Sequence, residues 1–412
     1  MKSYKRNNCR LCKSKNLKVV LKLTPTPPAD SYVPANQLDK SQPAIPLDLY
    51  LCGNCGHTQI GHVINAREVY LNYIYETAST LGLGDHFERC ANEVMSRYKP
   101  SKDRLALDIG SNDGILLKHF KNKGMQVLGI DPMPGIAEKA SKNGIPTLDQ
   151  FFNRKSAKEL TKKIGFVSII CSNNLVADTD NLDDFVEGVK ALMDKDSIFF
   201  FETFYLYLQI KNNVWDFTYH EHYSYFTVKP LNKYFHQKGF ELIDVIPNET
   251  KGGSMRFVLQ LLGGTRKKQA SVQSAIRTEE NEGFGTEKIF KRYQQRINLG
   301  RDKFKKVIDR IKKSGKSIAG YGASATSTTL IYHYRLGKNL DYLIDDFKAK
   351  QGLFSPGYHI PVYSPSVINR NPPDYIIILA WRYYKKIVLK HKAYLKNGGH
   401  FITPLPKLKI LQ

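Results

Sequence analysis

The sequence predicts an α/β protein: a doubly wound parallel sheet, with a small cysteine-held module ahead of it and a second, smaller α/β unit behind. Three observations carry this. Short β-rich apolar runs alternate with helical stretches from Arg104 to about Gln260. Two cysteine pairs, Cys9/Cys12 and Cys52/Cys55, bracket the N-terminal part, and a second strand-into-glycine-turn pattern opens at Ser317. Apolar runs without strict alternation are how parallel strands buried on both faces read. A chain of 412 residues is also longer than one core usually fills.

In chain order, the cysteines come first. Two residues between thiolates let both sulfurs of a knuckle converge on one tetrahedral ion, and two knuckles complete the set. Cys9, Cys12, Cys52 and Cys55 are therefore read as structural Zn²⁺ ligands, closed to catalysis. Gly53 and Gly56 ease the second knuckle's turn. The 39 residues between the knuckles exceed a common zinc-ribbon spacing, and Thr24-Pro-Thr-Pro-Pro28 favours an extended connection within them. Cys90 and Cys171 have no partner at useful spacing and read as small hydrophobes. Residues 57 to 100 read as helical, with Tyr70, Tyr73, Tyr75 and Phe87 forming a packing face or a lid.

Strands are expected at 105–109, 126–130, 166–171, 197–203 and 240–246, followed by a strand-like run from Ser254 to Leu262. The first of them enters Leu105-Ala-Leu-Asp-Ile-Gly-Ser-Asn-Asp-Gly114, and the second ends on Asp131 before Pro132. Gly110 and Gly114 permit a close ligand approach and positive φ. A carboxylate closing the second strand is placed to accept ribose hydroxyls. A dinucleotide loop would hold pyrophosphate on G-x-G-x-x-G. Here Ser111, Asn112 and Asp113 stand in that loop, and an anion repels phosphate. The acidic loop suits a ligand with an amino group and a sulfonium, S-adenosylmethionine. A nucleotide cofactor, or a glycine-rich turn holding nothing, stays open. Asp108, Gly110, Asn112, Asp113, Gly114, Asp131 and Pro132 are the cofactor candidates, joined by Asn173 and Asn174 after the next strand.

Following the strand 197–203 comes Trp215-Asp-Phe-Thr-Tyr-His-Glu-His222. Tyr219, His220, Glu221 and His222 stand at the end of a central strand, where a histidine serves as general base at neutral pH and a carboxylate sets its tautomer. A buried structural clamp is the competing reading. Asp178 could reach the reacting centre. Lys251-Gly-Gly-Ser-Met-Arg256 offers amides and the Arg256 guanidinium as an anion clamp, or is simply a tight turn. Gly263-Gly264 with Arg266-Lys267-Lys268 reads as a linker, and 279–313 as one long charged helix. The second α/β pattern runs through Ser317–Ser324, Tyr342–Asp345, Tyr375–Trp381 and Gly399–Ile402.

The net charge of +24 is scattered along the chain, more like a solvated surface or a general attraction for anionic small substrates than a nucleic-acid face. The Asn-Pro-Pro-Tyr-type motif of nucleobase-amine methylation is absent. No run approaches the ~20 apolar residues of a membrane helix, and no secretory leader is visible, so a cytoplasmic setting is expected.

Together these residues resemble the sugar C-methyltransferase family. The resemblance rests on both cysteine pairs, Ile109-Gly-Ser-Asn-Asp-Gly114, Tyr219-His-Glu-His222, Gly252-Gly-Ser-Met-Arg256, Gly320-Tyr-Gly-Ala323, and Lys350-Gln-Gly-x-x-x-Pro-Gly357 with His359-Ile-Pro361. It implies a zinc-binding module (1–65), a helical lid or linker (66–103), a Rossmann-type methyltransferase domain (104–265), a connecting helical segment (266–315) and a Rossmann-like substrate-binding domain (316–412). It implies S-adenosylmethionine-dependent methylation of a nucleotide-linked 4-keto-deoxysugar. His222 would be the base, Tyr219 and Glu221 would surround the sugar, Tyr75 would stand near the site, and Tyr321, Arg256 and His220 would contact substrate. One position departs: the family usually carries a histidine where this chain has Asp178, an anion that opposes enolate formation unless paired. O- or N-methylation of a related sugar, and more distantly a zinc-ribbon RNA-binding protein with a vestigial cofactor fold, are the alternatives.

Overall fold

The computed structural model describes residues 3–65, 82–133 and 135–412. Its N-terminal strands β1 (Ser3–Lys5), β2 (Leu17–Leu21), β3 (Leu49–Cys52), β4 (Thr58–Ile60) and β5 (His62–Ile64) are all antiparallel. Residues 58–64 were expected to be helical, and the difference has a physical cause. Leu49, Leu51 and Ile60 are buried together, and the β3–β4 ladder pairs Leu49 with Ile60 and Leu51 with Thr58. Among the described residues of this stretch, the helix is Leu83–Tyr98. Tyr70, Tyr73 and Tyr75 lie outside the described residues.

The central sheet contains β6 (Ala106–Ile109), β7 (Val127–Asp131), β8 (Thr147–Asp149), β9 (Ile169–Asn173) and β10 (Ile198–Phe204). After β11 (Ser224–Tyr225), it is completed by β12 (Phe240–Asn248) and β13 (Ser254–Leu261). The order is β12-β13-β10-β9-β6-β7-β8, with β13 antiparallel to both neighbours and the remaining pairs parallel. Strand order reverses between β6 and β9, which opens a crevice at their carboxyl ends. Every residue of β10 is buried, and Phe201 stacks on Phe257 of β13 with ring centroids 4.9 Å apart. Such continuous burial explains why this strand reads as an unbroken apolar run.

Strand β11 leaves the central unit and pairs with β4, so the segment just after His222 is an edge of the N-terminal sheet. Two helices, Ala270–Asn281 and Glu287–Lys313, replace the single one expected over 279–313. Gly283 and Gly285, at φ 83° and 84°, break the run. The expected linker at 263–268 is tied down. Arg266 donates through Nε to Tyr98 O (3.0 Å) and through Nη1 to Asp196 O (2.9 Å).

The C-terminal sheet comprises β14 (Ile318–Tyr321), β15 (Tyr342–Ile344), β16 (Val362–Tyr363), β17 (Tyr375–Ile378), β18 (His400–Thr403) and β19 (Lys409–Leu411). Its order is β16-β15-β14-β17-β18-β19, parallel except for β19. A second reversal thus lies between β14 and β17. Buried Asp216 joins the two α/β units: its Oδ2 accepts from Trp381 Nε1 at 2.8 Å and lies 3.4 Å from Arg382 Nη1. Among the described residues no helix is long and apolar enough to cross a membrane.

Candidate active site

The carboxyl ends of β6, β7 and β9 line one cavity of about 1750 Å³, which continues across to the ends of β14 and β15. On its first side, Gly110 turns the chain at φ 77°, its amide donating to Ile130 O at 2.8 Å. A Cβ there would stand 3.1 Å from Leu175 Cδ2. Asp131 accepts from Asn112 N (2.9 Å) and Met133 N (3.1 Å); burial raises its pKa and those two amides oppose the rise. Burial pushes Asp108 up to about 7, against a lowering contact from the Cys171 thiol. Asp108 Oδ1 and both polar atoms of the Asn173 side chain are buried without a hydrogen-bond partner among the described residues. Buried polar atoms are rarely left so, and both residues line the cavity.

Asp108, Gly110, Asn112, Asp131, Pro132, Asn173 and Asn174 all line the cavity; Asp113 and Gly114 do not. Gly114 is required by packing instead. Its φ is 76°, and a Cβ would come within 2.8 Å of Ile145 Cγ2. Asp113 faces the following turn, its Oδ1 3.4 Å from Ile115 N.

Tyr219, Glu221, His222 and Asp178 meet in the same cavity. His222 Nδ1 is 2.9 Å from Phe217 O. A carbonyl can only accept, so Nδ1 carries the proton and Nε2 is left basic. Nε2 lies 3.9 Å from Asp178 Oδ1, and the Tyr219 and His222 ring centroids are 3.9 Å apart. Burial, then the Lys251 charge, hold the His222 pKa well below its usual value, so the imidazole is neutral. Burial pushes the enclosed Glu221 up to about 7, and its Oε2 has no partner among the described residues.

Lys251 is the residue that pattern reading passed over. It lines the cavity from the β12–β13 turn at φ 52°, and burial lowers it to about 8 while Asp178 raises it. A lysine held left-handed is uncommon, which is the signal that only the backbone reveals. His86 was also missed; it lines the cavity with Nε2 2.6 Å from Glu202 Oε1.

Two expected substrate contacts lie elsewhere. His220 is outside the cavity, its Nε2 3.2 Å from Ile45 O, and burial lowers it to about 4. Arg256 is also outside. Its Nη1 donates to Glu93 Oε2 (2.7 Å) and its Nη2 to Glu202 Oε2 (3.3 Å). A buried guanidinium needs such counter-ions, and these leave it no anion-clamp role. Tyr321 does face the cavity, its hydroxyl donating to Asp346 Oδ2 at 2.8 Å. Tyr75 lies outside the described residues.

The far side repeats the first. Gly322, at φ 115°, donates to Ile344 O at 2.8 Å, and a Cβ there would meet Ala380 N at 2.9 Å. Asp345, just after β15, accepts from Ala323 N (2.5 Å) and Phe347 N (2.8 Å). Lys350, Arg382, Lys386 and Lys390 line this end, the first two and the last ion-paired with Asp30, Asp216 and Asp346.

The four cysteine sulfurs lie within 4.8 Å of one another, with Cys9–Cys55 at 3.6 Å and Cys12–Cys52 at 3.5 Å. Sulfurs ~2.3 Å from a tetrahedral zinc would be roughly 3.8 Å apart, so the donor set fits that ion. Each knuckle closes on a left-handed residue, Lys13 (φ 61°) and Gly56 (φ 78°). Gly53 is needed for space, since a Cβ would meet Asn16 Nδ2 at 2.5 Å.

Three family models match the chain in sequence: a zinc binding domain over residues 9–70, a methyltransferase domain over 85–245 and a C-methyltransferase C-terminal domain over 249–406. The C-methyltransferase NovU of Streptomyces niveus is 27% identical over 406 residues, covering 98% of this chain and 97% of that protein. Two solved structures resemble part of it. One is a SAM-dependent methyltransferase from Anabaena variabilis ATCC 29413 (13% identity, TM-score 0.33, 46% of this chain and 99% of that one). The other is magnesium protoporphyrin IX methyltransferase from Synechocystis PCC 6803 with bound SAH (12%, TM-score 0.34, 47% and 91%). With a Cys₄ zinc module, a β6–β9 crevice suited to S-adenosylmethionine and three matching models end to end, the chain belongs to the zinc-containing, S-adenosylmethionine-dependent C-methyltransferases.

Proposed function

We propose that this enzyme methylates a carbon beside the ketone of a nucleotide-diphosphate-linked keto-deoxysugar. The observation that carries the reading is the single cavity joining the Asp131 end, the His222 turn and the Asp345 end. Asp131, Asn112, Asp108 and Asn173 would hold the cofactor, which supplies, when bound, an electrophilic sulfonium methyl for a carbon nucleophile. Asp345 would accept from the nucleoside sugar, and Lys386 suits a diphosphate by charge.

In this reading His222 Nε2 removes the proton from the carbon next to the ketone. The electron pair moves onto the ketone oxygen as an enolate. Lys251 and Tyr219 stabilise that oxygen, and Glu221, held up to about 7 by burial, can donate a hydrogen bond to the sugar while protonated. Asp178 replaces the expected histidine, and its charge is balanced by Lys251, which it holds cationic. The anion therefore need not oppose the enolate. A cytoplasmic, reducing setting fits a thiolate zinc site.

The test is wash-in of solvent deuterium. Incubated with a nucleotide-linked keto-deoxysugar and S-adenosylhomocysteine, the enzyme should exchange the hydrogen beside the ketone, and His222→Gln should not. Methyl transfer to a hydroxyl or amine without any exchange would instead support O- or N-methylation.

A further inference from the structure

Arg10 sits inside the first zinc knuckle, between Cys9 and Cys12, yet its fully buried side chain serves three other segments. Nη1 donates to Ile60 O (3.0 Å) and to Tyr223 O (3.2 Å). Nε donates to Asp180 Oδ1 at 3.0 Å, and Nη2 lies 2.9 Å from the same oxygen. The backbone amide of Arg10 donates to Gln59 Oε1 at 2.8 Å, which ties the knuckle to β4. Arg6 Nη1 (2.8 Å) and the Tyr4 hydroxyl converge on the same Asp180 carboxylate.

Those anchors flank the candidate site. Asp180 is two residues beyond Asp178, and Tyr223 follows His222 directly. Tyr223 N donates to Ala177 O at 2.8 Å, so the two segments also bond to each other. Tyr223 O accepts a second bond from Ile60 N at 3.0 Å, and the Tyr223 hydroxyl donates to Ile64 O at 2.8 Å. The next two residues, Ser224 and Tyr225, pair with β4. A planar guanidinium with five donors in a rigid fork can hold a carboxylate and two carbonyls at once, which an ammonium on a flexible stem cannot.

We propose that Arg10 is a positioning residue: its fork sets the separation of the Asp178 loop and the His222 turn, so that the zinc knuckle fixes active-site geometry as well as its own fold. The consequence for turnover rests on the roles given above to Asp178 and His222; the geometric claim does not.

Hydrogen exchange read by mass spectrometry on the full chain tests it, alongside zinc content and S-adenosylmethionine affinity. Arg10→Met should keep one zinc and, because Arg10 does not line the cavity, bind S-adenosylmethionine within about twofold. Exchange should rise by about tenfold in both 175–183 and 219–225. Arg10→Lys should restore slow exchange in 175–183, where a charge suffices, and leave 219–225 fast, where the fork is needed. Wild-type exchange in both segments of zinc-loaded Arg10→Met would overturn the proposal. If that variant loses zinc or fails to fold, Asp180→Asn decides, since it leaves the knuckle intact. Faster exchange confined to 175–183 supports the proposal and unchanged exchange refutes it. Because the readout needs no turnover, a failed catalytic assignment would show separately, as intact exchange patterns with no deuterium wash-in.

Discussion

Asp131 and Asp345 hold equivalent positions in two different sheets. Each closes the second strand of its unit, accepts from an amide of the preceding glycine turn (Asn112 N, 2.9 Å; Ala323 N, 2.5 Å) and accepts from the amide two residues on (Met133 N, 3.1 Å; Phe347 N, 2.8 Å). Both face the one cavity. The chain therefore presents two matching strand-end carboxylates to a shared space.

Their ligands should separate by mutation. Asp131→Asn should weaken S-adenosylmethionine by roughly 10- to 100-fold, the ~1.5–3 kcal/mol of a charged hydrogen bond, and leave nucleoside diphosphate binding unchanged. Asp345→Asn should do the reverse. Calorimetric titration of each variant with both ligands checks this; equal losses for both ligands would refute the division.

Lys251 should govern the alkaline side of the pH–rate profile. It is cationic below about 8, so in the proposed mechanism enolate stabilisation should be present there and lost as pH rises through that value. Lys251→Met should abolish that limb and lower kcat by ~10²–10³, as loss of one oxyanion partner does. Asp178 raises the Lys251 pKa, so Asp178→Asn should move the limb to lower pH. His222, held neutral by burial, should contribute no limb near its ordinary value.

Arg256 should matter for stability rather than for substrate. Arg256→Met takes the guanidinium from buried Glu202, whose other partner is His86 Nε2 at 2.6 Å, and breaking a buried pair costs about 3–5 kcal/mol. Thermal unfolding should report that loss, while KM for the nucleotide sugar changes little.

Cys52→Ser should lower zinc content and loosen the N-terminal sheet together with β11, since β11 is an edge of that sheet. Metal analysis and near-ultraviolet circular dichroism measure the two effects. Wild-type near-ultraviolet signal in a zinc-free variant would contradict the coupling.

Much of the site was legible in one dimension because its signals are local. A C-x-x-C knuckle, a glycine turn between strand and helix, and a carboxylate at a strand end each fit within a few residues, so Cys9, Gly110 and Asp131 could be picked out directly. Roles that depend on what lies across a gap were not legible. Arg256 and His220 are polar residues in suggestive motifs, but Glu93, Glu202 and Ile45, remote in sequence, engage their polar atoms. Lys251 sits in the turn that drew attention to Arg256, and only its left-handed backbone and cavity position single it out.

By itself the sequence determined that this is a doubly wound α/β methyltransferase with a zinc module, because strand periodicity, turn chemistry and ligand spacing are short-range properties. Tertiary structure decided which charges meet. It brought Asp178 to 3.9 Å from His222 and turned Arg10 from the zinc knuckle onto Asp180 and Tyr223. Those residues lie up to 213 positions apart, and a buried charge takes whatever counter-charge the packing leaves within reach.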